Sequence, residues 1–337
     1  MAMKCAVVGI PLGGGKGGII VNPKELSHGE LERLSRAYIQ AIYKYLGPTQ
    51  DVPAPDVYTT PEIMGWMLDE YEKLVGVHAP GMITGKPIAL GGSAGRGFST
   101  AQGGVYVLRE AAKKLELEPE KTTVAVQGFG NAGSHMAKLL RNLGYRIVAL
   151  SDSKGGIYRK EGLDPRRVDE VKKQGSVVGC YCEGSVCDLR AEANGQSCKK
   201  ISNEHLLELP VDILVPAALE NVITKENAGQ VKAKLIVELA NGPVTPEADE
   251  ILEKKGIVSA PDILANAGGV TVSYFEQVQN AMNYYWTEEE VLAKLEKIMV
   301  ESFHAVWDRK EKYDVSLRTA AFVLAVERIA EAMRARG

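Results

Sequence analysis

The chain has 337 residues, of which 45% are hydrophobic and 25% charged, with a formal net charge of -3. That length exceeds one ordinary domain and points to two, and the near-balance of charge favours neither nucleic acid nor a membrane surface as partner. No apolar run approaches the ~20 residues of a membrane span, and Met1-Ala2-Met3-Lys4 lacks the apolar core of a secretion signal. The expected location is therefore the cytoplasm, and the expected partners are small molecules or further copies of the chain. Five cysteines are an odd number in a chain with no need of disulfide staples, so they read as thiols or metal ligands.

Residues Lys4 to Ile10 read as a short buried strand that empties into Pro11-Leu12-Gly13-Gly14-Gly15-Lys16-Gly17-Gly18. Glycines on both sides of Lys16 make an exposed loop that a ligand can approach closely. A phosphate-binding P-loop would need Ser or Thr after the lysine to hold magnesium, and Gly17 stands there instead. Ser27-x-x-Glu30 is a capping box for a helix whose Leu31, Leu34, Tyr38, Ala41 and Ile42 share one face. From Asp51 to Thr59 the chain is expected to be extended, with Pro53 and Pro55 restricting the backbone around Asp56; Thr60-Pro61 then opens another helix. The glycine-rich run from Thr84 to Gly97 marks a domain boundary, followed by a helix from about Ser99 to Lys114.

Thr122 to Gln127 is an apolar strand that runs straight into Gly128-Phe129-Gly130-Asn131-Ala132-Gly133 and then a helix. In this Gly-x-Gly-x-x-Gly pattern Gly128 permits a tight turn, Gly130 the close approach of a pyrophosphate, and Gly133 close packing of helix on strand. A second strand, Tyr145 to Ser151, ends at Asp152, about 20 residues beyond the glycines, where a ribose-binding carboxylate belongs. Strand-like runs at Asp212–Pro216, Leu235–Leu239 and Ile257–Ala260 alternate with helix signals at Ser202, Thr224 and Thr245-Pro246. Such alternation predicts an α/β chain built on a Rossmann-type, doubly wound parallel sheet. Thr287-x-x-Glu290 caps a long amphipathic pattern, and the chain ends in helix with Leu317, Ala321, Val323 and Ile329 apolar. The expected division is a smaller α/β substrate domain over 1–97, a dinucleotide domain over 98–284, and helices over 285–337 that return to the first domain.

A lysine held among glycines in a closed, water-poor cleft would have a lowered pKa and would stabilise charge on a carbonyl or activate water, with Asp56 shuttling the proton. The plain alternative is a surface lysine and a turn-forming aspartate. Cys180, Cys182, Cys187 and Cys198 cluster in a polar insert, but without Cys-x-x-Cys pairs, so an exposed loop with clustered thiols is favoured over a zinc site. The histidines are scattered singly, so no metal site is expected.

Pro11–Gly18, Val52–Thr59, Gly128–Gly133, Ser151–Gly156, Ala240-Asn241-Gly242-Pro243 and Asn266–Glu276 together resemble the glutamate dehydrogenase family, especially its hexameric archaeal and bacterial forms. The resemblance covers essentially the whole chain. It implies NAD or NADP as cofactor, L-glutamate, 2-oxoglutarate and ammonium as substrates, and a homo-oligomer. By the same resemblance Lys16 matches the catalytic lysine, Asp56 the proton-transferring aspartate, Lys4 the lysine on the substrate α-carboxylate, and Ser273 the serine on the distal carboxylate. Ser273 also has a plainer alternative as a helix N-cap. Thr100 and Asn241 match positions lining the nicotinamide site, and Asn266 lies in a motif near the same cleft. The dinucleotide residues are Gly128, Phe129, Gly130, Asn131, Gly133, Asp152, Ser153 and Lys154. Asp152 would accept from the 2′-hydroxyl of NAD, whereas Ser153 and Lys154 would bind the 2′-phosphate of NADP, and both cofactors stay open. Ser273 and Ala54-Pro55-Asp56 follow the glutamate pattern over that of alanine-, leucine- or phenylalanine-type enzymes. Family members carry further residues before Lys4, including a Lys-Gly-Gly segment for the distal carboxylate. The resemblance therefore implies weakened glutamate recognition and assembly for these 337 residues, and an alternative reading as a non-catalytic or regulatory subunit beside a full-length enzyme. The Lys4–Ile10 strand would then expose a sheet edge.

Overall fold

The computed structural model describes residues 1–173, 175–178 and 198–337. Its helices and strands run α1 (Ala2–Val7), α2 (His28–Ile42), α3 (Pro61–Val75), α4 (Ser99–Lys114), β1 (Thr123–Gln127), α5 (Asn131–Asn142), β2 (Arg146–Asp152), β3 (Gly155–Tyr158) and α6 (Pro165–Lys172). Then follow β4 (Lys199–Ile201), α7 (Asn203–Leu207), β5 (Ile213–Pro216), β6 (Leu235–Val237), α8 (Pro246–Lys254), β7 (Val258–Ala260), α9 (Asp262–Ala265), α10 (Gly268–Met282), α11 (Glu288–Tyr313) and α12 (Leu317–Arg336). None of these helices is long and apolar enough to cross a membrane.

The strands form one sheet in the order β4-β3-β2-β1-β5-β6-β7. From β2 through β1, β5 and β6 to β7 all pairings are parallel, and the strand order reverses between β1 and β5. That reversal is the switch point at which an open α/β sheet makes a crevice for a ligand. The sheet departs from the all-parallel expectation at one side, where β3 and β4 add antiparallel. Two residues, Ser153 and Lys154, turn β2 back into β3. Gly155-Gly156 at the start of β3 gives no alternation to read, which is why this hairpin is silent in the sequence. Lys199 and Lys200 put charge on the edge strand β4, which discourages pairing with another chain.

Lys4 to Ile10 is not a strand. It is α1 and its cap: Gly9 takes φ 68°, its N–H donates to Ala6 O at 3.1 Å, and Ile10 N–H donates to Cys5 O at 3.1 Å. This is the glycine-dependent Schellman ending of a helix. An apolar run this short has no period long enough to separate helix from strand. No sheet edge is exposed there, and among the described residues nothing before β1 joins a sheet, so the α/β character rests on the seven-stranded layer. Thr224 also differs from expectation: its N–H bonds Asn227 Oδ1 at 2.8 Å in a turn that leads only to a short 3₁₀ segment. The capping boxes at Ser27 and Thr287 form as read.

One face of the sheet shares a core with α1, α4, α10, α11 and α12, where Val126, Leu150, Val237, Val272, Phe303 and Leu324 meet. The opposite face buries Ala149, Leu206, Leu214, Ile236 and Leu252, and α2 and α3 enclose a separate cluster around Ile39, Met64 and Met82. Helices α4 and α10 touch backbone to backbone: a Cβ at Gly103 would stand 2.8 Å from Gly268 Cα, and one at Gly268 only 2.3 Å from Ser99 O. Overpacking of this kind costs about 1–3 kcal/mol. Gly103→Ala is therefore expected to lower the melting temperature by several degrees, whereas Gly97→Ala, facing open space, leaves it nearly unchanged; thermal unfolding of the two variants side by side checks this.

Candidate active site

Lys16 and Asp56, far apart in the chain, form an ion pair through Nζ and Oδ2. Of the glycines around Lys16, Gly14 and Gly17 stand at close approaches, whereas Gly13, Gly15 and Gly18 face open space. A Cβ at Gly14 would lie 2.1 Å from Ala2 N, and one at Gly17 would lie 2.7 Å from Tyr38 Oη. Lys16 is not shielded as the sequence suggested; its side chain remains 62% exposed. Asp56 is fixed by its neighbours. Its carbonyl accepts from Thr59 Oγ1 at 2.9 Å, and its Oδ1 accepts from Val57 N–H at 2.9 Å. The segment is pinned from behind, where Thr84 N–H donates to Pro53 O at 2.9 Å. Burial pushes the Asp56 carboxyl up, but the hydrogen bond and charge of Lys16 and the Val57 N–H outweigh it and hold it below the usual carboxylate range.

Lys4, on α1, donates from Nζ to Asn241 Oδ1 at 2.9 Å, joining the front of the chain to the loop after β6. Burial pulls its ammonium below the ordinary lysine value; Asp262 and Asp56 oppose the fall and Lys16 adds to it. These charges therefore share one field. Asn266 donates to the same Asn241 Oδ1 at 3.0 Å and to Ala240 O at 3.1 Å. Its own Oδ1 is buried without a hydrogen-bond partner among the described residues, an acceptor that an amide N–H of a ligand would satisfy.

At the switch point, Gly128 takes φ 95°, and a Cβ there would meet Ala218 Cβ at 2.6 Å. A Cβ at Gly133 would stand 1.8 Å from Gly128 O, while Gly130 faces open space. Only glycine closes this turn, and the N–H groups at the start of α5 follow it, so the residues present fit a pyrophosphate. Asn131 ties the loop to the front, its Nδ2 donating to Gly97 O at 2.7 Å. Phe129 is 1% exposed, and its carbonyl accepts from Lys172 Nζ, so its side chain belongs to the core. Asp152 ends β2 and accepts from Lys154 N–H at 2.9 Å, from Ser176 Oγ at 2.9 Å and from Val177 N–H at 2.8 Å. Burial raises its carboxyl, but these bonds and the Lys172 charge hold it below the ordinary range. Ser153 and Lys154 are exposed in the adjoining turn.

Ser273 lies inside α10, which removes the N-cap alternative; its Oγ accepts from Arg96 Nε at 3.0 Å. Thr100, in the first turn of α4, abuts the same helix, with Oγ1 only 2.6 Å from where a Gly269 Cβ would lie. Of the clustered cysteines, Cys180, Cys182 and Cys187 lie outside the described residues; Cys198 sits half-buried just before β4.

A family model described as Glutamate/Leucine/Phenylalanine/Valine dehydrogenase matches residues 91–337, and one described as Glu/Leu/Phe/Val dehydrogenase, dimerisation domain, matches residues 1–73. The chain belongs to the Glu/Leu/Phe/Val dehydrogenase family. Within it, the chain is 51% identical to an NADP-specific glutamate dehydrogenase of Synechocystis sp., across 100% of this chain and 78% of that protein. Identity is also 51% to an NAD-specific glutamate dehydrogenase of Clostridioides difficile, with the same coverage of 100% and 78%. Among solved structures, the leucine-bound hetero-hexameric glutamate dehydrogenase of Thermus thermophilus superposes with a TM-score of 0.89 at 38% identity, over 100% of this chain and 77% of that one.

Several residues that support this family site are silent in the sequence. Arg96 reaches Ser273, and burial pulls its guanidinium below the ordinary arginine value. Lys86 and Glu276, both with no side-chain exposure, form an ion pair at 2.6 Å. The only hint was spacing, since Glu276 lies three positions after Ser273 and so shares its helix face. Behind the Asn241 loop, Glu238 is fully buried, accepts from Ser259 Oγ at 2.7 Å and pairs with Arg318. Burial pushes its carboxyl up to about 7, against the opposing pull of Arg318 and Ser259. A carboxyl raised in the folded state adds stability at low pH that is lost as the pH climbs through the raised value. The melting temperature should therefore fall relative to that of Glu238→Gln as buffers go from about pH 5.5 to pH 8.5; parallel curves for the two proteins would contradict it.

Proposed function

We propose that this chain catalyses the NAD(P)-dependent oxidative deamination of L-glutamate to 2-oxoglutarate and ammonium, and the reverse reductive amination. The observation that carries the reading is the Lys16–Asp56 ion pair standing in the field of Lys4, which itself bonds Asn241 of the dinucleotide unit. The names of the relatives, NADP-specific and NAD-specific glutamate dehydrogenase, support it.

In this reading the Lys4 ammonium takes the α-carboxylate through a charge-assisted hydrogen bond. Loss of a hydride from Cα and a proton from the amino group leaves 2-iminoglutarate. Lys16 polarises the attacking water and the developing carbonyl, and Asp56 carries protons between water, the tetrahedral adduct and the departing ammonia. Ser273, oriented by Arg96, receives the distal carboxylate. When bound, the nicotinamide supplies the hydride acceptor. Gly128, Gly130, Asn131 and Gly133 with the α5 N-terminus would hold the pyrophosphate, Asp152, Ser153 and Lys154 the ribose end, and Thr100, Asn241 and Asn266 the nicotinamide end. Residues 1–97 form the substrate unit, 98–284 the dinucleotide unit and 285–337 the returning helices. We take the assembly as a homo-oligomer of hexameric form, since the Thermus relative is hexameric, although built of unlike subunits, and the location as cytoplasmic.

Lys16→Ala is expected to abolish turnover while the cofactor still binds, because the dinucleotide loop is built elsewhere. Asp56→Asn, nearly isosteric, should keep substrate affinity and lose about 10²–10⁴ in rate. Steady-state kinetics with fluorescence titration of NADH binding reads both, and an unaltered pH–rate profile in Asp56→Asn would sink the proton-carrier role. Asp152→Ala should weaken NAD more than NADP; equal Kd values for NAD in the variant and the parent would remove Asp152 from the ribose site.

A further inference from the structure

Helix α12 carries two arginines that the catalytic reading leaves unused, and each reaches one side of the Lys4–Asn241 contact. Arg328 Nη1 donates to Ala6 O at 2.8 Å and to Val7 O at 2.6 Å, at the C-terminal end of α1, the helix that carries Lys4. Ala6 O also accepts from Gly9 N–H, so the arginine joins the Schellman ending and ties the end of α1 to α12. Gly9 makes room for this, since a Cβ there would lie 3.3 Å from Arg328 Nη1.

Arg318 stands in the first turn of α12, where the helix dipole disfavours a cation. Three carboxylates hold it there. It pairs with Glu238 directly after β6, with Asp249 of α8 at 3.1 Å, and with Asp262 at the start of α9 at 3.8 Å. Asp262 Oδ2 in turn accepts from Gly242 N–H at 2.9 Å, the residue next to Asn241. Asp262 N–H meets Glu238 Oε2 at 3.3 Å, so the cluster is bonded internally as well. One end of α12 thus supports the loop that presents Asn241, and a point roughly 15 Å further along the same helix supports the helix that presents Lys4.

We propose that α12 is a strut that sets the Lys4–Asn241 contact, with Arg318 and Arg328 as positioning residues for binding of the substrate carboxylate. The proposal rests on the reading of Lys4 as the carboxylate ligand and goes beyond it in naming what places Lys4. A lysine side chain is long and rotationally free, so its ammonium is useful only when its stem and its acceptor are both anchored. Here both anchors belong to one rigid element, and neither arginine comes from the segments that carry Lys16 or Asp56.

The test compares Arg318→Gln, Arg328→Gln and the conservative Arg318→Lys and Arg328→Lys in the full chain, with two readouts. The first is the titration of the Lys4 ammonium, followed by NMR of ¹³C-methylated lysines and assigned with Lys4→Ala. Freed from its anchored position, Lys4 would swing out of the buried site whose desolvation depresses it, so its value should move up toward that of an ordinary lysine in each Gln variant and less in the Lys variants. The second is kinetic: KM for glutamate should rise about tenfold in the Gln variants while KM for the cofactor stays within about twofold. Variants that fold with an unshifted Lys4 titration, or that lose only thermal stability, would overturn the strut. If the Gln variants do not fold, the Lys variants decide by the same titration. A shifted titration together with a glutamate KM unaffected by Lys4→Ala would keep the strut and reject the substrate role of Lys4.

Discussion

Glu276 is a carboxylate from which water is wholly excluded, and the rest of the site takes its place from the way that charge is satisfied. Lys86 Nζ meets it at 2.6 Å, and Gly85 N–H donates to its other oxygen at 2.9 Å. Lys86 Nζ spends a further proton on Ile83 O at 2.6 Å. Taking two charges out of water costs several kcal/mol per ion, and only full pairing offsets it, so the segment from Ile83 to Phe98 cannot slide along α10 without stranding a charge. Its register is fixed twice more, by Gln279 Nε2 on Ser93 Oγ at 2.9 Å and Asn280 Nδ2 on Gly91 O at 3.0 Å. Thr84 at the head of that segment holds Pro53, and Arg96 near its tail holds Ser273. A helix from the dinucleotide unit therefore dictates where Asp56 stands at one end of the site and how Ser273 is oriented at the other.

The pair proposed to react, Lys16 and Asp56, is built on the opposite principle. Lys16 sits in a glycine-rich loop that passes close to Met1 and Ala2 at Gly14 and to Tyr38 at Gly17, and its side chain is open to solvent. Such loops keep conformational freedom, and the rigid elements around them supply the positional information. The asymmetry is physically coherent. The anchoring groups, Lys86, Glu276, Asn266 and Glu238, are buried and fully committed or nearly so, while Lys16 and Asp56, the groups proposed to move protons, remain accessible to water.

What the sequence disclosed and what it hid divide along the range of the interaction. The Gly128–Gly133 turn, the strands β1, β2, β5, β6 and β7, and the helices capped at Ser27, Thr60, Thr245 and Thr287 are written in nearest-neighbour patterns, and they stand where those patterns put them. Lys16 and Asp56 do meet, but in the open rather than in the closed, water-poor cleft that the glycines suggest. The α1 helix was misread because seven apolar-rich residues carry no period; the informative signal was Gly9 followed by Ile10. The β3 and β4 strands were missed because one begins with two glycines and the other is dominated by lysines. The pairings of Lys86 with Glu276, Arg96 with Ser273 and Arg318 with Glu238 join positions 190, 177 and 80 apart in the chain. No local rule reaches that far, since such pairs exist only after the sheet and its helices have packed.

If Asp152 receives the ribose as proposed, the bonds it already makes bear on how the two nicotinamide cofactors are told apart. A carboxylate offers about four acceptor positions, and here Lys154 N–H, the Ser176 hydroxyl and Val177 N–H occupy most of them. A ribose arrives with two vicinal hydroxyls. In that role at most one would find a vacant lone pair; the second would have to trade places with Ser176 or Val177, so admission of NAD would be an exchange whose equilibrium depends on how firmly the short stretch 175–178 clings to β2. A 2′-phosphate has no proton to offer in that exchange and meets a charged group instead, leaving Lys154 on the turn as its counterweight. On that reading cofactor preference would be distributed over a hairpin and a neighbouring loop, and substitutions at Ser176 would tilt it.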